Sequence, residues 1–222
     1  MRYELVRSNR RTLALTVDRG GNLTVRAPLR MPAAQIETFV RAKQDWIEKT
    51  RVRLSQLPPP AEPLSLGDGA TMPYLGRTLT LRRAAVARVT LSGDTLLFPL
   101  SAADTSPLIR WLEAQVRVEF DARVSRLSRA LNLHPKTIRL SRAHGRWGSM
   151  SGRGTLSLNR ALILCPPEVM DYVIIHELCH IAHPNHSAAF WALVERCLPG
   201  CRAWRAWLKS HNSLIFVLPD EP

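Results

Sequence analysis

Residues 170–180 read MDYVIIHELCH, the segment of the chain that is most informative about its chemistry. Two prolines, Pro166 and Pro167, precede it and suit the first turn of a helix. The apolar residues within the stretch predict a buried helix rather than a loop. On that helix His176 and His180, four residues apart, lie on one face about one turn from each other. The spacing therefore predicts two ligands for a single metal ion.

The residue after the first histidine supplies the chemistry of this HExxH pattern. Neutral imidazoles bind Zn²⁺ at about 2.0–2.1 Å, and the metal lowers the pKa of a bound water towards about 7. Glu177 is placed so that its carboxylate can take a proton from that zinc-bound water and pass it to a leaving amine. We therefore expect one Zn²⁺ per chain and a hydrolase of peptide bonds, with Glu177 as its general base.

A catalytic zinc site usually has three protein ligands, so the pattern needs a third residue. Two histidines follow it closely, His183 and His186. His183 would lie on the same helix, and one straight helix does not easily complete a tetrahedral arrangement. Pro184 and the asparagine after it predict a turn that brings His186 back towards the metal. The sequence favours His186, with His183 as an outer or surface residue and Glu195 as a weaker alternative.

The N-terminal quarter of the chain predicts a small β-rich unit. Residues 12–17 and 23–27 are β-prone and flank a short turn, which predicts a hairpin. Apolar residues then recur at helical spacing over residues 32–54. Three consecutive prolines at 58–60 interrupt this pattern and predict a linker. We therefore expect a first domain over residues 1–57, built from a hairpin and a helix.

The next part of the chain predicts short strands and then helices. Short β-type runs fill residues 64–99, and residues 58–100 are assigned to a linker with short strands. One apolar stripe predicts a long helix over residues 105–132. Its other side carries arginines that are expected to form a solvated face: Arg110, Arg117, Arg123 and Arg129. Residues 137–140 and 155–159 predict an antiparallel pair of strands that leads into the HExxH helix.

The composition limits the classes of function. The 222 residues carry a formal net charge of +13, which favours acidic or phosphate-rich partners but also fits a solvated basic surface. No uncharged apolar run reaches the roughly 18 residues that span a bilayer, and the N-terminus resembles no export signal. We expect a soluble, cytoplasmic protein. In that compartment its four cysteines are expected to be buried and reduced.

Several motifs surround the HExxH stretch. They are Asn185-His186-Ser187, Phe190-Trp191, Arg146-Trp147-Gly148-Ser149, Gly154 and Leu156-Ser157-Leu158-Asn159. Together with residues 176–180 they resemble the YgjP-like metallopeptidases, most specifically over residues 146–191. The resemblance implies a gluzincin-like or minigluzincin-like domain related to SprT-type proteases, with zinc held by His176, His180 and His186. Met150 departs from the family, which often has cysteine there; this affects local packing rather than the zinc chemistry.

Two roles are left open by the sequence. A donor must stabilise the oxyanion that forms beside zinc, and His144, Arg146 and Tyr172 are the candidates. The strand over residues 156–159 either pairs with an extended peptide substrate as a sheet edge or is purely structural. Trp191 is expected in the core or in the wall of the pocket.

These patterns predict an α+β fold. A β-rich N-terminal part precedes a catalytic domain over residues 101–222, with a short antiparallel sheet and an HExxH helix. The resemblance implies that this domain is minigluzincin-like. The expected function is that of a zinc metalloendopeptidase acting on a peptide or protein substrate. Two alternatives stay open: a SprT-like protease that acts on nucleic-acid-bound proteins, and a zinc-binding scaffold without turnover. The sequence shows no separate DNA-binding module such as a zinc ribbon, and the intact Glu177 weighs against the scaffold.

Overall fold

The computed structural model of the chain describes residues 2–18, 20–56 and 64–218. They form the α+β fold that the sequence predicts, with helices and small sheets. The chain divides into two compact units, Met1–Pro59 and Pro60–Pro222. The predicted linker at 58–60 lies outside the described residues, and the predicted three-part division into domains stays a prediction.

The N-terminal unit contains one sheet. Its three strands are β1 (Glu4–Ser8), β2 (Ala14–Val17) and β3 (Leu23–Pro28). The central strand β3 runs antiparallel to β2 and parallel to β1, which confirms the predicted hairpin. Every second residue of β3 is buried, because a strand directs successive side chains to opposite faces: Leu23, Val25 and Ala27.

Two helices, rather than the predicted single one, cover this sheet. They are α1 (Ala33–Ala42) and α2 (Gln44–Ser55), and the break lies at Lys43, where φ is −106° and ψ is 11°. A straight helix over this segment would be about 35 Å long, whereas strands of this length extend about 15–20 Å. The break therefore lets Ile36 of α1 and Ile47 of α2 pack in one small core.

The C-terminal unit begins with a second sheet. Its strands are β4 (Thr71–Tyr74), β5 (Arg77–Ala84), β6 (Thr90–Ser92) and β7 (Thr95–Pro99), in the order β4-β5-β7-β6. The long helix α3 (Ser106–Leu131) follows at the predicted place. Its apolar stripe is buried as predicted: Leu108, Leu112, Val116, Phe120, Val124 and Leu127.

A third sheet and three more helices complete this unit. The strands are β8 (Thr137–Ser141), β9 (Gly148–Met150) and β10 (Thr155–Asn159). A 3-10 helix over Arg160–Leu164 leads into α4 (Pro167–Cys179), which is followed by α5 (Ala188–Cys197) and α6 (Cys201–Ser210). All of these elements contribute to the hydrophobic cluster that also holds α3.

The strand pairing in the third sheet differs from the predicted one. β10 runs parallel to β8, so the predicted antiparallel pair of 137–140 with 155–159 is wrong. The antiparallel partner of β10 is β9, since a tight turn that ends at Gly154, with φ of +85°, joins the two strands. The order β8-β10-β9 also makes β10 the central strand. It is therefore not the peptide-binding edge that the sequence suggested.

The arginine side of α3 is not a uniformly solvated face. Arg123 leaves only 18% of its side chain exposed, because it pairs with Glu119 on α3 and with Asp171 on α4. Its Nη1 lies 2.8 Å from Asp171 Oδ1, and Nη2 of Arg126 lies 2.7 Å from Asp171 Oδ2. Asp171 thus ties α4 to α3, and the expectation of a solvated Arg123 is wrong.

The free energy of unfolding of the Asp171→Asn variant is expected to be about 1.5–3 kcal/mol lower than that of the wild type, which is the range for hydrogen bonds to charged groups. It keeps the size of the side chain but removes the charge that compensates the mostly buried Arg123. Urea denaturation followed by circular dichroism measures the change. The matched control is Asp121→Asn on α3, an exposed position. Equal losses in the two variants would contradict the tie between α3 and α4.

All four cysteines are free thiols. Cys165, Cys179 and Cys201 are buried as expected, whereas Cys197 is partly exposed, so the expectation of a buried thiol is wrong for that residue. Among the helices of the described ranges, none combines the length and the apolar character that crossing a bilayer requires.

Candidate metal centre

The HExxH pattern lies at the C-terminal end of α4, whose start at Pro167 agrees with the prediction. His176 and Glu177 belong to its last turn, and His180 is the C-cap, with φ of −67° and ψ of −15°. Because the backbone of His180 is still helical, the rings of His176 and His180 share one face. Their centroids are 5.1 Å apart.

A tight turn after α4 brings His186 to the same place. Ser187 is the N-cap of α5, and its hydroxyl accepts the N–H of Phe190 at 3.3 Å, which fixes the position of the residue before it. The ring centroid of His186 lies 5.0 Å from that of His176 and 4.7 Å from that of His180. The Nε2 atoms of His176 and His186 are 3.0 Å apart.

The three histidines form a ligand cluster. One nitrogen from each ring lies within 4.8 Å of the other two. Across residues 2–18, 20–56 and 64–218, no other three side chains of the ligand types His, Cys, Asp and Glu converge in this way. The structure thus brings together the three residues that the sequence favours as ligands.

The two competing third ligands have other contacts. His183 offers its backbone carbonyl, which lies 3.0 Å from Nδ1 of His180. Since a carbonyl only accepts, His180 donates its Nδ1–H to it, which is the kind of hydrogen bond that zinc-binding histidines usually make with the ring nitrogen that does not bind the metal. The carboxylate of Glu195 accepts the N–H of Gly200 at 2.8 Å and the thiol of Cys201 at 3.2 Å. It lies at the end of α5 and is engaged there.

Two aromatic side chains pack against the histidine cluster. The buried ring of Phe190 lies 4.4–4.9 Å from all three imidazoles, centroid to centroid. Trp191 stacks on His186 at 5.6 Å and 27°. On the same indole ring rests the guanidinium of Arg205, 4.4 Å from its centroid. Trp191 is therefore a wall of the site, as expected, and it restrains His186, which lies in the segment between α4 and α5.

The electrostatics favour the neutral form of two of these imidazoles. Burial, with the neighbouring His180, His186 and Arg205, lowers the pKa of His176 to about 3. Burial and the neighbours His180 and Arg205 also lower the pKa of His186. A histidine binds a divalent metal through an unprotonated ring nitrogen, so the lowered pKa values suit metal binding. Nδ1 of His176 is buried and has no hydrogen-bond partner in the described part of the chain. The donor set of three converging imidazole nitrogens fits Zn²⁺.

Glu177 lies beside the cluster in a buried position, with 7% of the residue exposed. Its carboxylate accepts the backbone N–H of Met150 on β9. Burial raises the pKa of Glu177 to about 7, although the Met150 N–H and the charge of Arg146 act in the opposite direction. A cation bound to the adjacent histidines would favour the ionised carboxylate, which is the form that accepts a proton.

Gly148 on β9 makes room for Glu177. A Cβ atom at this position would lie 2.7 Å from Cγ of Glu177 and 2.9 Å from its Oε1, well inside van der Waals contact. The glycine is needed for this approach and not for its backbone angles, because its φ is not positive. The sequence marks Gly148 only as part of a turn-rich motif, and no local signal distinguishes a glycine that accommodates a distant side chain.

The three oxyanion candidates occupy different places. Tyr172 is buried one turn before His176 on α4, with ring centroids 5.9 Å apart, and burial raises its pKa to about 12. Arg146 is exposed, and its charge acts on Glu177. The ring of His144 instead packs against Phe216, at 5.5 Å. Tyr172 and Arg146 therefore interact with residues of the site.

Part of the chain is similar to two solved structures. The crystal structure of the metallopeptidase zymogen abylysin of Pyrococcus abyssi is similar to this chain at 24% identity and a TM-score of 0.38, covering 41% of this chain and 92% of that one. The metallopeptidase zymogen jannalysin of Methanocaldococcus jannaschii is similar at 21% identity and a TM-score of 0.38, covering 41% and 95%. No curated protein matches the chain. The family described as "YgjP-like, metallopeptidase domain" matches residues 11–211, almost the whole length, and the chain belongs to this family.

Proposed function

We propose that the chain is a zinc-dependent endopeptidase in which His176, His180 and His186 bind one Zn²⁺ and Glu177 is the general base. Membership of a metallopeptidase family supports the reaction class. The observation that carries the proposal is the convergence of three imidazole nitrogens within 4.8 Å of one another, next to the buried carboxylate of Glu177. Three protein ligands with one position left for water or substrate are typical of catalytic zinc.

Each residue of the site has a separate task in this proposal. The zinc ion supplies Lewis acidity to water and to the scissile carbonyl. Glu177 accepts a proton from the attacking water and delivers it to the departing amine. The Met150 N–H orients that carboxylate, and Gly148 leaves the space it occupies. Phe190 and Trp191 hold the imidazoles in place.

The substrate strand is proposed to lie along β9. β10 has partners on both sides, whereas β9 is at the end of the sheet order in the described residues. Ser151 and Trp147 hydrogen-bond to β10, so in an antiparallel ladder the backbone groups of Gly148 and Met150 face away from it. The Met150 N–H donates to Glu177 and not to β10, which agrees with this alternation. A peptide beside β9 would lie next to the general base.

Cleavage of an unfolded protein by the purified chain tests the proposal. We expect internal peptide bonds to be hydrolysed, the activity to disappear with a chelator, and added Zn²⁺ to restore it. Fragment masses distinguish internal cleavage from removal of terminal residues. A chain that binds zinc but cleaves no peptide or protein would favour the scaffold alternative.

The Gly148→Ala variant is expected to cleave about 10²-fold more slowly, the cost of misplacing a catalytic group by about 1 Å. The new methyl group overlaps Glu177, so the carboxylate must move while the three histidines stay in place. The rate and the zinc content are measured on the same preparation. The matched control is Gly145→Ala, where an added Cβ meets nothing within 4 Å. Cleavage equal to that of the control would contradict the role of Gly148.

Association with nucleic acid stays a prediction from the net charge of +13. Binding to phosphates releases counterions, so it weakens steeply with salt. Retention on immobilised duplex DNA at rising NaCl concentration measures this dependence. A chain that binds through several phosphates is expected to elute late and with a steep salt dependence. Elution at low salt, with no binding to single-stranded DNA either, would indicate that the positive charges form a solvated surface and not a binding site for nucleic acid.

A further inference from the structure

A cavity of about 440 Å³ lies beside the histidine cluster. One wall is the turn between β9 and β10, with Met150 before it, and another is the segment between α3 and β8. His180 belongs both to the cluster and to the wall of this cavity. A peptide whose reacting carbonyl lies at the cluster therefore has a residue within reach of the cavity, because an extended chain advances about 3.3–3.6 Å per residue.

The charges that line this cavity are all positive. Lys136 and Arg153 contribute an ammonium and a guanidinium group, and His134 lies beside them. No carboxylate is among the described residues that line it. Neither Lys136 nor Arg153 takes part in an ion pair within the described ranges, although the chain forms such pairs elsewhere, for example between Arg123 and Asp171. The two cations are therefore available to a ligand.

The backbone fixes the position of the lysine. The N–H of Lys136 donates to the carbonyl of Gly154 at 2.8 Å. A Cβ atom on Gly154 would lie 2.9 Å from Cγ of Lys136, so the stem of the lysine runs directly over this glycine. Gly154 also has a φ of +85°, which glycine adopts without strain. The positive φ of Gly154 shapes the turn, and its missing side chain leaves the space in which Lys136 lies at the cavity wall.

We propose that this cavity binds a carboxylate of the peptide substrate, held by Lys136 and Arg153, and so selects acidic peptides. The inference deepens the proposed peptidase function and rests on it. Guanidinium binds carboxylate through paired hydrogen bonds, and ammonium adds a mobile point charge. The carboxylate belongs either to an Asp or Glu side chain near the scissile bond or to the C-terminus of a short peptide.

Matched peptides test this preference. One series places Glu or Gln at each position within three residues of the scissile bond, with amidated C-termini. A second series carries Gln throughout and has free or amidated C-termini. We expect kcat/KM to be about tenfold higher for the acidic member at one position, since solvent-exposed pairs each contribute modestly. A preference confined to the free C-terminus would assign the carboxylate to the chain end.

Variants of the two cations connect the preference to the cavity. In the double variant Lys136→Gln, Arg153→Gln the ratio of kcat/KM for Glu over Gln peptides is expected to fall to about one. Reversal of both charges, Lys136→Glu with Arg153→Glu, is expected to favour peptides with Lys instead. The control Arg139→Gln removes an exposed cation of β8 that does not line the cavity and should keep the wild-type ratio. Equal ratios in wild type and the double variant would overturn the proposal.

A binding experiment separates this inference from the proposed function. Fluorescence anisotropy of labelled Glu and Gln peptides is measured with the Glu177→Gln variant, with and without zinc. Tighter binding of the Glu peptide that requires Lys136 and Arg153 supports the carboxylate site even if no peptide is cleaved. Equal binding of the two peptides overturns it even if the wild type is an active zinc peptidase.

Discussion

The Glu177→Gln variant is expected to retain about one zinc per chain and to lose about 10²–10⁴ in the rate of peptide cleavage, the range for a general base. The amide has nearly the size of the carboxylate, so it fits the space opposite Gly148 and its oxygen can still accept the Met150 N–H. It cannot accept a proton from water. Zinc content by mass spectrometry and the cleavage rate are measured on one preparation.

The control for this variant is Glu168→Gln, at an exposed residue in the first turn of the same helix. It removes the same charge from α4 without touching the site, and we expect wild-type cleavage. Full activity of Glu177→Gln would show that another group takes the proton. Loss of zinc in Glu177→Gln would show that the carboxylate is a ligand, which contradicts its assignment as a base.

The His186→Ala variant is expected to lower the affinity for zinc by more than about 100-fold, because loss of an outer partner alone costs about 10–100-fold. It removes one of three converging nitrogens and the ring that stacks on Trp191. Cleavage should disappear with the metal. Competition with a chromogenic chelator measures the affinity, and circular dichroism confirms that the helices persist.

The matched control is His183→Ala, three residues earlier in the same turn. His183 contributes its backbone carbonyl to His180, and alanine keeps that carbonyl. We expect its zinc affinity to stay within a few-fold of the wild type. If His183→Ala lost zinc and His186→Ala did not, the third ligand would have been assigned to the wrong histidine.

The geometry of the candidate site depends largely on local signals in the sequence. The spacing of His176 and His180 on a helix depends only on helical periodicity, and the start of that helix is marked by prolines. The return of His186 depends on a short turn and a serine cap, which are also local. The placement of these residues together follows from about ten consecutive positions.

The parts that the sequence did not predict depend on contacts between distant segments. Nothing near Gly148 indicates that Glu177, 29 positions later, needs the space of its missing side chain. Likewise, the burial of Arg123 follows from Asp171 on another helix and not from the pattern of α3. Pair interactions of this kind are visible only once the chain is folded.

The predicted strand pairing in the third sheet was wrong for a related reason. The residues of β8 and β10 indicate two strands, but their composition carries no information on direction or on which partner lies between them. The short strand β9 has only three residues and gives too weak a pattern to be recognised. A tight turn joins β9 to β10, so β9 is the antiparallel neighbour of β10, and β8 lies on the other side of β10 as its parallel neighbour. This order decides which strand can meet a substrate.

The zinc content of the wild-type chain, purified without a metal-affinity step, tests whether the three histidines bind a metal. We expect about one zinc per chain by plasma mass spectrometry, the stoichiometry of a single catalytic site. The same preparation of His176→Ala with His180→Ala should contain almost none. Wild-type protein that holds no more zinc than this variant, even after incubation with Zn²⁺, would contradict the proposed zinc site.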